Sequence, residues 1–172
     1  MMNLKCQKQS GFTLLEAMLV VGLVAVLAMW GVPNFGRYTA KTQVNNAISQ
    51  VAGSIKMARS QAMATGRQIN LCGLMRDGSG NYSDCSGTPN NWSTGWGVVT
   101  SDGTTSTVLQ VYEVTGELQI TASGNVVVAP NGMRVGGTGG AIAITVSPTN
   151  FSDGTLNQSV TINSASLSYK IN

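Results

Sequence analysis

The chain has 172 residues, of which 10% are charged, 21 are glycine and none is histidine. The lack of histidine excludes a Ser-His-Asp triad and a histidine-ligated zinc site, and the scattered acidic residues form no catalytic constellation. The net charge is +3, but Lys5 and Lys8 lie in the first eleven residues, so eight basic and seven acidic residues remain. A nearly neutral remainder does not indicate a nucleic-acid-binding surface, and we expect no enzyme activity, cofactor or metal.

The N-terminal segment changes from polar to apolar at one junction. Residues 1–11 are short, polar and basic, whereas the only charge in residues 12–32 is Glu16. An apolar run of this length can span, or nearly span, a bilayer as a helix, with the basic side left in the cytoplasm. A secretory signal peptide and a single-span anchor with a chance glutamate are the alternatives. The first is disfavoured because signal peptides do not carry a carboxylate near the start of the apolar core.

The junction reads Gly11-Phe12-Thr13-Leu14-Leu15-Glu16. This string resembles the prepilin peptidase site of type IV pilins and type II secretion pseudopilins. The resemblance implies cleavage after Gly11, N-methylation of the new N-terminal Phe12, and assembly roles for Glu16 and for the helix-breaking Pro33. Cleavage also frees an amine on Phe12. We expect Glu16 to pair with that amine on a neighbouring subunit, which would favour one axial register because an unpaired buried charge costs several kcal/mol.

Beyond Pro33 the apolar residues follow a helical period. One stripe carries Val44, Ile48, Val51, Ile55, Ala58 and Ala62. Spacings of four and three predict an amphipathic helix whose apolar face packs on the protein's own sheet rather than in a partner's groove. The helix is expected to end near Thr65-Gly66, since glycine is a common terminator, and to kink at Pro33, Gly22 or Gly31.

The remaining sequence consists of short β-like runs between glycine and asparagine turns. The candidate strands are 68–74, 97–100, 107–114, 118–121, 125–129, 141–147, 159–163 and 166–171. The pilin resemblance implies an α+β fold, with a leader (1–11), a transmembrane and assembly half-helix (12–33) and an amphipathic half-helix (34–66). These precede an antiparallel β-sheet head (67–172). The glycine-rich residues 136–140 are expected to form a flexible turn, since no helix follows them.

Cysteine usage bears on the compartment. Cys6 would leave with the leader, and the exported head then contains one pair, Cys72 and Cys85. We expect a disulfide, which implies the periplasm or beyond and about 3 kcal/mol of stabilisation. Two reduced thiols are the alternative.

The segment between the two cysteines has a weak resemblance to a calcium loop. Oxygen-bearing side chains stand at alternate positions within residues 77–84, which include Asp77 and Asp84, but Thr88 stands where a bidentate glutamate is expected. A solvated turn closed by a disulfide is therefore favoured, and no metal site is predicted.

Three further features resemble the minor pilin and pseudopilin H family (GspH/FimT/FimU-like). They are residues 55–62 at the helix end, Cys72 after the first strand, and residues 92–99, whose Trp92 and Trp96 are expected to be core or interface aromatics. The resemblance implies a minor pilin that primes filament assembly or lies near the tip, or alternatively an H-class secretion pseudopilin. Its partners would be prepilin peptidase, other minor pilins and the major pilin or pseudopilins, and the inner-membrane assembly platform. The chain would cross the inner membrane once, with its head in the periplasm, before entering the filament.

A DNA-binding minor pilin for natural transformation is a further alternative. Some FimT-like members carry a Gly-Arg-x-Arg stretch near the C-terminus that contacts DNA phosphates. Here only Lys170 is basic in that region, and Arg67, Arg76 and Arg134 are scattered along the chain. Because DNA affinity depends on several phosphate contacts, nucleic-acid binding is the less favoured prediction.

Overall fold

The computed structural model describes residues 11–76, 78–82, 85, 91–101, 106–135, 140–152, 154–163 and 167–172, without the side chains of residues 30–34. The chain forms two compact units, which meet between Tyr38 and Thr39. Helix α1 (Leu14–Thr65) contributes to both units. The strands that follow are β1 (Ile69–Gly73), β2 (Trp96–Ser101), β3 (Ser106–Tyr112), β4 (Leu118–Ala122), β5 (Val126–Val128), β6 (Ile142–Pro148), β7 (Gln158–Ile162) and β8 (Tyr169–Ile171).

The strands of the second unit form two antiparallel sheets. The first has the order β3-β2-β1-β5 and the second the order β4-β6-β7-β8. Consecutive strands are neighbours in β1-β2-β3 and β6-β7-β8, whereas β5 returns to pair with β1, at Ile69 opposite Val128. The predicted α+β architecture with an antiparallel head is confirmed, and the head is divided between two sheets.

The apolar stripe of α1 forms the centre of the core. All six predicted positions, from Val44 to Ala62, are at most 2% exposed, so the packing of this stripe on the protein's own sheets is confirmed. Both sheets contribute to the same cluster. Their inward residues include Ile69, Leu71, Trp96, Val98, Val126 and Val128 from the first sheet and Leu118, Ile120, Ile142, Ile144, Val146, Val160 and Ile162 from the second.

The end of α1 is set by Gly66. This residue has φ of 65°, a left-handed conformation that glycine adopts without steric cost. Its backbone N–H donates to the carbonyl oxygen of Ala62 at 3.0 Å and so satisfies one of the last helical acceptors. The predicted helix end is confirmed. The helix also includes residue 33, and the kink expected there stays a prediction.

The second sheet follows the alternation expected of half-buried strands. Ile142, Ile144 and Val146 of β6 are buried, with more exposed residues between them. Near the C-terminus the alternation is incomplete, because Leu167 is buried but Ile171 is 47% exposed. Residues 136–139 of the predicted glycine-rich turn, and Ser166 of the last candidate strand, lie outside the described residues.

Strand β1 is covered on both faces. Its Ile69 and Leu71 point into the helix-facing core, whereas Cys72 belongs to a smaller cluster on the opposite face, together with Leu74 and Val99. Tyr82 and Cys85, from the segment after β1, pack against this smaller cluster. The β1–β2 connection therefore covers the outer face of the first sheet.

Residues 11–29 of the first unit have exposed side chains throughout, including large apolar ones such as Leu14, Leu27 and Met29. In the residues that the structure describes, no helix has both the length and the apolar character needed to cross a membrane.

An aromatic stack joins the first sheet to α1. Trp96 stacks with Trp92 at 6.5 Å and with Tyr112 at 5.4 Å between ring centroids. The indole N–H of Trp96 donates to Ser54 Oγ at 3.3 Å, and that hydroxyl donates to the carbonyl oxygen of Val51 at 2.8 Å. Trp92 and Trp96 are thus core aromatics, as predicted, and the buried Ser54 satisfies the polar end of one of them.

We predict that Ser54→Ala lowers the free energy of unfolding by about 1–3 kcal/mol, because the buried indole N–H of Trp96 loses its acceptor. The matched control is Ser60→Ala, since Ser60 makes the same local bond, to the Met57 carbonyl at 2.9 Å, but is exposed. Urea denaturation of the full chain in a mild detergent, followed by near-ultraviolet circular dichroism, measures both. Equal effects of the two substitutions would contradict the assigned role of Ser54.

Candidate processing and assembly site

The residues of the predicted cleavage junction precede the first turn of α1. Gly11 and Phe12 have no regular secondary structure and are exposed, with Phe12 at 83%. A β-carbon built on Gly11 would meet no atom within 4 Å. An exposed backbone without regular secondary structure is accessible to a peptidase, so the local structure is compatible with cleavage at this point.

Thr13 caps the helix. Its hydroxyl oxygen accepts the backbone N–H of Glu16 at 3.3 Å, and its carbonyl oxygen accepts that of Ala17 at 3.2 Å. Thr-x-x-Glu is the sequence of a capping box, and a carboxylate in the first turn is stabilised by the helix dipole. The sequence reasoning missed this role for Thr13, although the pattern was visible in the string Thr13-Leu14-Leu15-Glu16.

Glu16 is exposed in this isolated chain. Among the described residues, no side chain forms a hydrogen bond or an ion pair with its carboxylate. The carboxylate is therefore available to a group outside the chain. Pro33, the other predicted assembly residue, lies within α1, and its side chain is not among those described.

The predicted disulfide is present. Cys72, at 1% exposure in β1, is bonded to Cys85, with 5.6 Å between the Cα atoms and 13 residues of sequence separation. Such a bond persists in oxidising compartments, as expected for an exported head. Asp77, Ser83 and Asp84 of the disfavoured calcium loop lie outside the described residues.

A polar cluster ties the disulfide loop to the end of β3. Arg76 Nη2 and the hydroxyl of Tyr82 both donate to Glu113 Oε1 at 2.9 Å, and the Arg76 guanidinium lies 4.7 Å from the Tyr82 ring centroid. Desolvation, followed by the hydrogen bond to Glu113, raises the pKa of Tyr82, although Arg76 acts in the opposite direction. No local sequence pattern predicted this cluster, because Arg76 and Glu113 are 37 residues apart.

The four candidate DNA-contacting cations do not form one stripe. Arg76 forms an ion pair with Glu113. Lys170 lies in β8, opposite Thr161 of β7. Arg67 precedes the inner strand β1, whereas Arg134 forms an isolated backbone β-bridge with Val128 of the edge strand β5. Arg134 Nη2 donates to the carbonyl oxygen of Gly140 at 3.1 Å. The structure thus shows no cluster formed by these four cations among the described residues.

Two protein-family descriptions match the chain. The prokaryotic N-terminal methylation motif matches residues 6–32, and the type II transport protein GspH matches residues 47–166. Similar proteins include a fimbrial protein of Pseudomonas aeruginosa, 43% identical over 61 residues, which are 36% of this chain and 39% of that protein. The type IV major fimbrial protein FimA of Dichelobacter nodosus is 32% identical over 71 residues, 41% of this chain and 45% of that protein. The chain therefore spans about two fifths of the length of these relatives.

Solved structures share the fold over most of the chain. The type IV minor pilin FimU of Pseudomonas aeruginosa superposes with a TM-score of 0.57 at 16% identity, covering 78% of this chain and 92% of that one. The minor pseudopilin EpsH of Vibrio cholerae superposes with a TM-score of 0.51 at 8% identity, covering 76% and 96%. The fold is that of type IV pilins and pseudopilins. Within that class, the chain belongs to the GspH family.

We predict that reducing the Cys72–Cys85 bond lowers the free energy of unfolding by about 3 kcal/mol, because the reduced unfolded chain regains the entropy of an open loop. Denaturant midpoints of the full chain with and without dithiothreitol measure the effect. The double variant Cys72→Ala/Cys85→Ala is the control, since its midpoint should not respond to the reductant. An equal response of wild type and variant would show that the disulfide is not the cause.

Proposed function

We propose that the chain is a minor pilin, cut by prepilin peptidase after Gly11, methylated on Phe12 and then incorporated in a type IV pilus. There it primes assembly or lies near the tip. The observation that carries the proposal is the presence of both signatures in one chain. The methylation motif covers residues 6–32, and the GspH match covers residues 47–166. The exposed junction and the capped helix that follows it are compatible with processing.

The same proposal places residues 12–33 in the inner membrane before assembly, as a single span with the head in the periplasm. Support comes from the apolar composition of residues 12–32 and from the basic Lys5 and Lys8 on the N-terminal side. The Cys72–Cys85 disulfide supports an oxidising location for the head. The exposed apolar side chains of residues 12–29 would be covered first by lipid and later by the helices of neighbouring pilins.

Within the filament, the carboxylate of Glu16 would form an ion pair with the methylated N-terminal amino group of Phe12 in a neighbouring subunit. The carboxylate has no partner among the described residues of its own chain. A buried ion pair contributes more to choosing one arrangement than to net stability, and breaking it by removing one partner is costly. The partners of this step are the other minor pilins, the major pilin and the inner-membrane assembly platform.

An H-class pseudopilin of type II secretion is the second candidate function. Two observations favour it: the matched family is described as a type II transport protein, and the fold is shared with the minor pseudopilin EpsH. Assays of twitching and of protein secretion in a deletion strain separate the two. Loss of surface pili with normal secretion supports the minor pilin, and the reverse result supports the pseudopilin.

We predict that Gly11→Val prevents processing, because a branched side chain at the cleaved bond obstructs the peptidase. The full chain is co-expressed with prepilin peptidase, and mass spectrometry reports whether residues 1–11 are lost and Phe12 is methylated. Gly53→Ala is the control, since Gly53 is exposed and an added β-carbon there meets no atom within 4 Å. Cleavage of Gly11→Val at the wild-type rate would overturn the assignment of the junction.

We also predict that Glu16→Gln is processed normally but enters filaments roughly tenfold less or worse, because the buried amine of its neighbour loses its counter-charge. Quantitative immunoblotting of sheared filaments against the membrane fraction measures incorporation. Glu117→Gln, an exposed acidic position in the head, is the matched control. Normal incorporation of Glu16→Gln would remove the basis for the register hypothesis.

A further inference from the structure

A cleft of about 200 Å³ opens between α1 and residues 113–116, which connect β3 to β4. Its walls lie entirely within the second compact unit. Gln43, Asn46 and Gln50 of α1 form one wall, and Glu113 and Gly116 belong to the other. We call this feature the amide cleft.

The helical wall offers three carboxamides on one face. Gln43, Asn46 and Gln50 are three and four residues apart, a spacing that places their side chains on the same side of a helix. None of the three has a side-chain hydrogen bond to another residue in the described part of the chain. Gln43 is nevertheless half-buried. These amides can therefore donate to and accept from a ligand without first breaking a hydrogen bond to another described residue.

The opposite wall is tied by hydrogen bonds and kept short. Glu113 is fixed by Arg76 and Tyr82, which lie in the loop closed by the disulfide. Gly116 has φ of 88°, and a β-carbon there would lie 2.9 Å from the carboxamide atoms of Gln43. Glycine therefore both permits the turn and leaves the space open, because any side chain would press on Gln43.

The chemistry of the walls restricts the ligand. A carboxamide supplies donors and an acceptor together, which matches hydroxyl groups that also do both. The described lining contains no lysine or arginine and one carboxylate, so an anionic ligand is disfavoured. Trp96 also lines the cleft, but its ring is buried and stacks with Trp92 and Tyr112. The volume is below the 300–1,000 Å³ typical of drug-sized ligands, which favours a single small ring.

We propose that the amide cleft binds one neutral sugar ring, held by the carboxamides of Gln43, Asn46 and Gln50 and by Glu113. This inference is independent of the proposed function, which assigns no role to these residues. A loop of a neighbouring subunit is a different occupant. It is disfavoured because a stable protein interface buries about 800 Å² on each partner, whereas this cleft is small and concave.

The test is a titration of the full chain with glucose, galactose and N-acetylglucosamine in a zwitterionic detergent that carries no sugar head group. Saturation-transfer difference NMR and tryptophan fluorescence report binding. At least one of the three sugars should saturate with a dissociation constant on the order of 1 mM, as expected for a ligand of about a dozen heavy atoms. Glucuronate, with the same ring as glucose and an added carboxylate, should bind at least roughly tenfold more weakly than glucose if glucose is a ligand.

The double variant Asn46→Ala/Gln50→Ala should weaken sugar binding at least roughly tenfold, since two hydrogen-bonding groups are removed. Both residues are exposed, so the fold should be kept, and near-ultraviolet circular dichroism of the tryptophan stack verifies this. Ser49→Ala is the matched control, because Ser49 is exposed on the same helix but does not line the cleft.

Two results would overturn the proposal: no saturable signal from any of the three sugars, or equal binding by the double variant and the Ser49→Ala control. A third result would also overturn it. If the double variant binds every sugar as the wild type does but enters filaments less efficiently than Ser49→Ala, the cleft is a contact surface for a neighbouring subunit.

Discussion

The burial of one apolar stripe of α1, from Val44 to Ala62, determines the rest of the head. Two sheets that share no extended strand pairing both use this stripe as their inner surface, and their inward residues form a single cluster with it. The alanines of the stripe keep the helix surface flat, so that large residues such as Trp92 and Trp96 fit against it. Neither sheet could bury its apolar face without the helix, which makes the head one cooperative unit. Direct backbone contact between the sheets comes at the segment before β2, where Trp92 N–H donates to the Ile120 carbonyl at 2.9 Å.

The first unit differs from the head in where its apolar side chains lie. Its apolar side chains, from Phe12 to Met29, are exposed rather than turned inward. An apolar surface of this extent requires a covering from outside the chain, whether lipid or other helices. The only charge within this segment, Glu16, sits in the first turn, where the helix dipole already favours it. One helix thus carries two different apolar surfaces, one buried in its own head and one exposed.

Sequence periodicity was sufficient to predict the helix and individual strands, but not how the strands pair with one another. The helical stripe, its end at Gly66 and the alternation in β6 follow from local rules, and each was predictable from residue spacing. The return of β5 to pair with β1 was not, because strand pairing is decided by contacts distant in sequence. The junction at Gly11 was found by its resemblance to a known motif, whereas the cap at Thr13 was visible but overlooked. The Arg76–Glu113 pair and the amide cleft had no local signal, since each joins segments dozens of residues apart.

The disulfide has a second consequence that follows from where its loop lies. The β1–β2 connection covers the outer face of the first sheet through Leu74 and Tyr82, and the Cys72–Cys85 bond limits how far that cover can open. Tyr82 and Arg76 of the same loop also hold Glu113, which follows β3 and lines the amide cleft. A loop closed in an oxidising compartment therefore fixes one wall of the cleft as well as one face of the sheet. Among the described residues, the side chain of Glu113 is bonded to Arg76 and Tyr82 of the closed loop, so we expect reduction to loosen both together.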